Sequence, residues 1–131
     1  MCRRHLLVVA AVGALLPSVA LADHAIRRQA PALDACSDVG KARCMPIQFQ
    51  GEVPTAEDGE RLVNFARTLA RDSNTPVRIE GPGAGHQIQP NTIPSLSQRR
   101  AEKVARLLEA GGLPWDRIQR VSAPRWRVVA P

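Results

Sequence analysis

The stretch SLSQRRAEKVARLLEAGG, residues 95–112, decides the fold. Ser95 followed three residues later by Gln98 has the form of a capping box, in which the two side chains satisfy free backbone N–H groups at a helix start. The helix so opened runs to about Ala110, and Gly111-Gly112 halts it. On a helical wheel Ala101, Val104, Leu107 and Leu108 share one apolar sector. Arg99, Glu102, Lys103, Arg106 and Glu109 gather opposite, as a solvent face. Arg100 stands inside the apolar sector, within the first two turns. A guanidinium there is costly to leave unpaired. It can snorkel to the rim, pair with an internal carboxylate, or receive an external one. The last option gains from the free N–H groups and partial positive charge at a helix start.

Working outward, the patterning supplies strands and a second helix. Val77–Glu80 alternates apolar and polar, the Gly81–Gly85 run stops it, and a Pro-punctuated loop passes His86 and Asn91 to Pro94. Upstream, Ile47–Gln50 reads as a half-buried strand. Thr55 then caps a helix with Glu57 and Asp58 in its first turn, an apolar stripe of Leu62, Phe65, Ala66, Leu69 and Ala70, and an end near Asp72. Two short strands are expected near Ile118–Val121 and Trp126–Val129. The order β-α-β-α-β-β predicts an α/β two-layer sandwich, with both helices on one face of a small mixed sheet.

The N-terminal third reads differently. Arg3 and Arg4, the apolar run from Leu6 to Leu16, Pro17 and the small residues Ala20 and Ala22 have the layout of a signal peptide, residues 1–22. Export to the periplasm is therefore expected, with no transmembrane segment remaining after cleavage. Residues 23–45 form an N-terminal segment of little periodicity, and residues 46–131 form the domain. Removal of Cys2 leaves Cys36 and Cys44 as an even pair in an oxidising compartment. Neither CxxC spacing nor a His cluster favours redox or metal use, so a disulfide closing a small loop is expected, stabilising by about 2.5 kcal/mol.

Composition narrows the function. The 131 residues are 44% hydrophobic, which excludes a disordered chain, and one domain is the most they support. Phe49, Phe65, Trp115 and Trp126 are the whole aromatic complement, so a stacking surface for nucleic acid is not expected. The net charge of +6 is carried by arginine, Lys41 and Lys103 being the only lysines. For an exported chain the matching polyanions are those of the envelope, and a merely solvated basic surface accounts for the charge equally well. Catalysis finds little support: His24 lies in the leader segment and His86 in a Gly-rich loop, with no nucleophile in a recognisable setting. The Gly81–Gly85 run lacks the Gly-Lys-Ser/Thr of a phosphate loop. No metal spacing and no cofactor motif is present.

Leu96-Ser97-Gln98-Arg99-Arg100-Ala101-Glu102-Lys103-Val104, followed by Leu107-Leu108, Gly111 or Gly112 and Asp116-Arg117-Ile118, resembles the second-helix signature of OmpA-like peptidoglycan-binding domains, L-S-x-x-R-A-x-x-V. The resemblance covers roughly residues 46–122 and implies an OmpA-like fold in a cell-envelope, outer-membrane-associated protein. It also implies peptidoglycan as partner, with Arg100 gripping a diaminopimelate carboxylate beside Ser97. The family aspartate of a G-H-T-D run falls on Ala84, because the run here reads Gly81-Pro82-Gly83-Ala84. The family asparagine corresponds to Asn91, with the spacing stretched by two residues. The expected function is non-catalytic contact with stem-peptide carboxylates. The alternative is a degenerate domain without cell-wall affinity, acting as a protein-interaction or structural module.

Overall fold

The computed structural model describes residues 35–72 and 74–131. The signal-peptide reading of residues 1–22, and His24, lie outside the described residues. In chain order the elements are β1 (Arg43–Pro46), β2 (Phe49–Gln50), β3 (Val53–Pro54), α1 (Ala56–Asp72), β4 (Val77–Gly81), α2 (Leu96–Ala110), a 3₁₀ turn (Trp115–Arg117), β5 (Ile118–Ser122) and β6 (Arg127–Ala130). A four-stranded sheet runs β1-β6-β4-β5, and β2 and β3 form a separate small hairpin. β4 and β5 are parallel and joined through α2, whereas β6 runs antiparallel to both β1 and β4. The result is the expected α/β two-layer sandwich on a mixed sheet.

Period-2 alternation assigns the two sheet faces. Val77 and Ile79 of β4, Val128 and Ala130 of β6 and Met45 of β1 point into one core with Leu62, Ala66 and Leu69 of α1 and Ala101, Val104, Ala105 and Leu108 of α2. Arg78, Glu80 and Arg127 fall on the other face, where the segment before β1 meets them. The helices pack tightly enough that a Cβ at Gly111 would lie 2.4 Å from the Val63 carbonyl oxygen and 2.5 Å from Ala66 Cβ. That close approach, more than any turn requirement, is why glycine ends α2.

The strand expected over Ile47–Gln50 is the main correction. The edge strand lies earlier, at Arg43–Pro46, in what the patterning assigned to the N-terminal segment. Ile47 is buried in the core and donates its N–H to the Trp126 carbonyl, while Phe49 and Gln50 turn away to pair with Pro54 and Val53. The apolar signal at Ile47 is a core contact following the strand, so periodicity placed it a few residues late.

α1 begins as its sequence predicts. Thr55 Oγ1 accepts from the Asp58 N–H at 3.3 Å, and Asp58 in turn accepts from the Gln48 N–H at 2.8 Å, tying the chain after β1 to the helix. Of its expected stripe, Leu62, Ala66 and Leu69 are buried and Phe65 is half-buried, but Ala70 is exposed. Cys36 and Cys44 are joined by a disulfide, as expected. No helix among the described residues is long and apolar enough to cross a membrane.

Candidate functional site

Four pieces of chain converge at the start of α2: the turn after β4, the loop that follows it, the helix start, and the β2–β3 hairpin. The capping box forms in full. Gln98 N–H donates to Ser95 Oγ at 3.2 Å, and the Ser95 N–H donates to Gln98 Oε1 at 2.7 Å. The other end of the Gln98 amide donates to the carbonyls of Gln87 at 3.1 Å and His86 at 3.4 Å, which fastens the preceding loop to the helix. Gly83 adopts a left-handed backbone directly against Ser97, where a Cβ would stand 3.2 Å from Ser97 Cβ. The turn therefore packs closely on the helix start, and a side chain at that position would crowd Ser97 and strain the backbone. The first turn of α2 carries no acidic residue, so its positive end is not offset from within.

Arg100 is half-buried and reaches across to the hairpin. Its Nε donates to the Gly51 carbonyl at 2.9 Å, and its Cζ sits 4.9 Å from the centre of the Phe49 ring, a cation–π distance. Phe49 meets Trp126 edge-on at 5.0 Å between centroids. Among the described residues no carboxylate pairs with Arg100, and its two terminal nitrogens donate no hydrogen bond. Of the three fates open to this guanidinium, an internal ion pair is not found among the described residues, and the side chain lies at the rim. Arg99, expected on the solvent face, is instead half-buried, with Nε 2.7 Å from Glu52 Oε2 and a further bond to the Pro94 carbonyl.

The remaining residues that the resemblance implies are not gathered around Arg100 to the same degree. Ser97 is half-buried, one helical turn before Arg100 and beneath Gly83. Ala84 is buried in the turn, its N–H donating to the Gly81 carbonyl. Asn91 occupies an exposed turn with left-handed backbone, and its side chain bonds to no other described residue. Sequence reasoning missed Phe49 and Gly51 as neighbours of Arg100, and Glu52 as the partner of Arg99. The available signal was the two-residue Gly51-Glu52 connection between Phe49-Gln50 and Val53-Pro54, a hairpin pattern. Among the described residues no group of three His, Cys, Asp or Glu is placed to hold a metal ion.

Ionisation is perturbed away from this centre. Hydrogen bonding from Arg120, then from Arg106, holds the Glu102 carboxyl below its usual range against some desolvation. Asp38 is held low chiefly by the Arg127 guanidinium, and Arg127 is raised by the same bond and by Glu80.

No protein-family model and no curated protein matches the sequence. Among solved structures the chain is similar to the OmpA-like domain of FopA1 from Francisella tularensis subsp. tularensis SCHU S4, at 14% identity and a TM-score of 0.50, covering 66% of this chain and 69% of that one. At that identity the likeness speaks to architecture alone. Taken with two helices over a small mixed sheet, it shows that this chain has the OmpA-like α/β fold.

Proposed function

We propose that this chain is a non-catalytic, periplasmic cell-envelope protein that contacts peptidoglycan stem-peptide carboxylates through Arg100 at the start of α2. The observation that carries the reading is the state of that guanidinium. It is held in place by Gly51 and Phe49, yet among the described residues its two terminal nitrogens find no hydrogen-bond acceptor and no acid neutralises it. Arginine in such a setting offers a preformed bidentate fork for a planar carboxylate. The unopposed helix start and the Ser97 hydroxyl, one turn before it, favour the same charge.

One observation favours a second reading, a degenerate domain that serves as a protein-interaction or structural module. Ala84 takes the place of the family aspartate and is buried, so half of the family's recognition pair is missing.

Sedimentation with purified, detergent-washed sacculi tests the proposal, using the full chain beside Arg100→Ala and Arg100→Lys. The expected result is sedimentation of the parent chain, a loss of at least tenfold in Arg100→Ala, and partial retention in Arg100→Lys. Equal sedimentation of all three, or of none, overturns it. A parent chain that releases no soluble fragments from the same sacculi fits the non-catalytic reading.

A further inference from the structure

Every residue from 85 to 93 is exposed, the loop between β4 and α2 being fastened at its start by the Gly85 N–H, which donates to Ser122 Oγ at 3.1 Å. It is also ordered by its own bonds. The Thr92 hydroxyl donates to the Gln89 carbonyl at 2.7 Å, Asn91 holds a left-handed turn, and Gln98 grips the carbonyls of His86 and Gln87. This frame presents large apolar side chains to water. Ile93 is 91% exposed, Ile88 47%, and Leu96 in the first turn of α2 is 43% exposed. Single exposed apolar residues are ordinary, but three within nine positions of a held loop are not.

The neighbouring surface is cationic. Ile88 and Pro94 share a groove of about 230 Å³ with Arg99, Lys103 and Arg106 of α2. Two acids also line it, Glu52 paired with Arg99 and Glu102 shared between Arg106 and Arg120. Lys103 has no carboxylate partner among the described residues, which leaves a positive surplus beside the apolar tip.

We infer that residues 85–96 dock on an anionic lipid bilayer, Ile88, Ile93 and Leu96 entering the headgroup region and Lys103, with its neighbouring arginines, facing the lipid charge. An apolar tip that stands out with cations behind it suits a plane more than a groove-filling peptide. The fixed loop removes much of the ordering cost that insertion would otherwise carry. The inference does not rest on Arg100 or on peptidoglycan.

The test places a reporter at the tip. The full chain carrying Ile93→Trp is mixed with vesicles of phosphatidylcholine and phosphatidylglycerol whose acyl chains are brominated near the headgroup. Tryptophan quenching is compared with that of the parent chain, which reports Trp115 and Trp126 alone. The readout is local, so retention on vesicles by another segment does not imitate it. The expected result is clearly greater quenching in Ile93→Trp, falling severalfold on pure phosphatidylcholine and in the Ile93→Trp, Lys103→Glu double variant. Quenching no greater than in the parent overturns the inference, as does equal quenching on neutral vesicles. Self-association that Ile93→Glu abolishes, without quenching at position 93, would assign the loop to a second copy of the chain and overturns it too. Adding Arg100→Ala to Ile93→Trp leaves the quenching in place, so this inference and the peptidoglycan reading fail separately.

Discussion

Gly81 and Ala84 lie three residues apart in one turn, and each is small because of what stands over it. A Cβ at Gly81 would fall 2.3 Å from the Trp126 indole. Trp126 abuts Phe49, and Phe49 carries the Arg100 guanidinium, so a contact chain runs from Gly81 to the candidate site. Gly81→Ala must push the indole aside, and a loss of roughly 1–3 kcal/mol is expected in urea unfolding. The displaced ring should also weaken sacculus binding, which a purely structural role for Trp126 would leave unchanged. Ala84→Asp would put a carboxylate at a buried position. An unpaired carboxylate there is expected to cost about 3 kcal/mol, read from the urea midpoint. Glu102 supplies part of the pH dependence, alongside Asp38. The Glu102 carboxyl is held low by Arg120 and Arg106, so the folded state binds fewer protons than the unfolded one. The stability it contributes is complete above the ordinary glutamate range, about pH 4.3, and is lost as pH falls through the depressed folded value. Glu102→Gln should make that acid limb of the melting-temperature profile shallower, the part due to Asp38 remaining, while leaving its shape above pH 6 alone.

The start of α2 shows how an element and its loop share one set of bonds. Ser95→Ala removes the cap and is expected to cost about 1 kcal/mol, as for other serine caps. Gln98→Ala should cost more than a cap alone, because it also releases the His86 and Gln87 carbonyls. Amide exchange should then quicken across residues 86–94 as well as in the first helical turn. Both helices, their caps and the strands Val77–Gly81 and Ile118–Ser122 were legible from the sequence, because each announces itself through neighbours three or four residues away, or through simple alternation. The same local rule singled out Arg100 as a cation in an apolar sector. What surrounds Arg100 was not legible, since Phe49 and Gly51 are about fifty residues distant and only the hairpin's position in the fold brings them there. Misplacing β1 has the same origin: its pairing partner is β6, at the far end of the chain.

At the scale of the molecule, the back of the sheet is closed by the segment that the disulfide holds. Arg127 of β6 bonds to Glu80 of β4 at 3.0 Å, and it donates to Asp38 and to the Ala35 carbonyl of that segment. Glu80 is buried, and its charge is compensated by Arg127 at 3.0 Å together with Arg78, whose guanidinium lies 3.6 Å from its other oxygen. Cys36–Cys44 closes a nine-residue loop that contains Asp38, one of the partners of Arg127. Loop-closure entropy puts the loss from Cys36→Ser at about 2.5 kcal/mol. If the staple acts by holding Asp38 against Arg127, the two contributions cannot be independent. Asp38→Ala should therefore destabilise the disulfide-bonded chain measurably more than it destabilises Cys36→Ser. Equal effects in the two backgrounds, in a double-mutant cycle of urea midpoints, would mean that the staple serves only the unfolded chain's entropy and that Asp38 meets Arg127 without it.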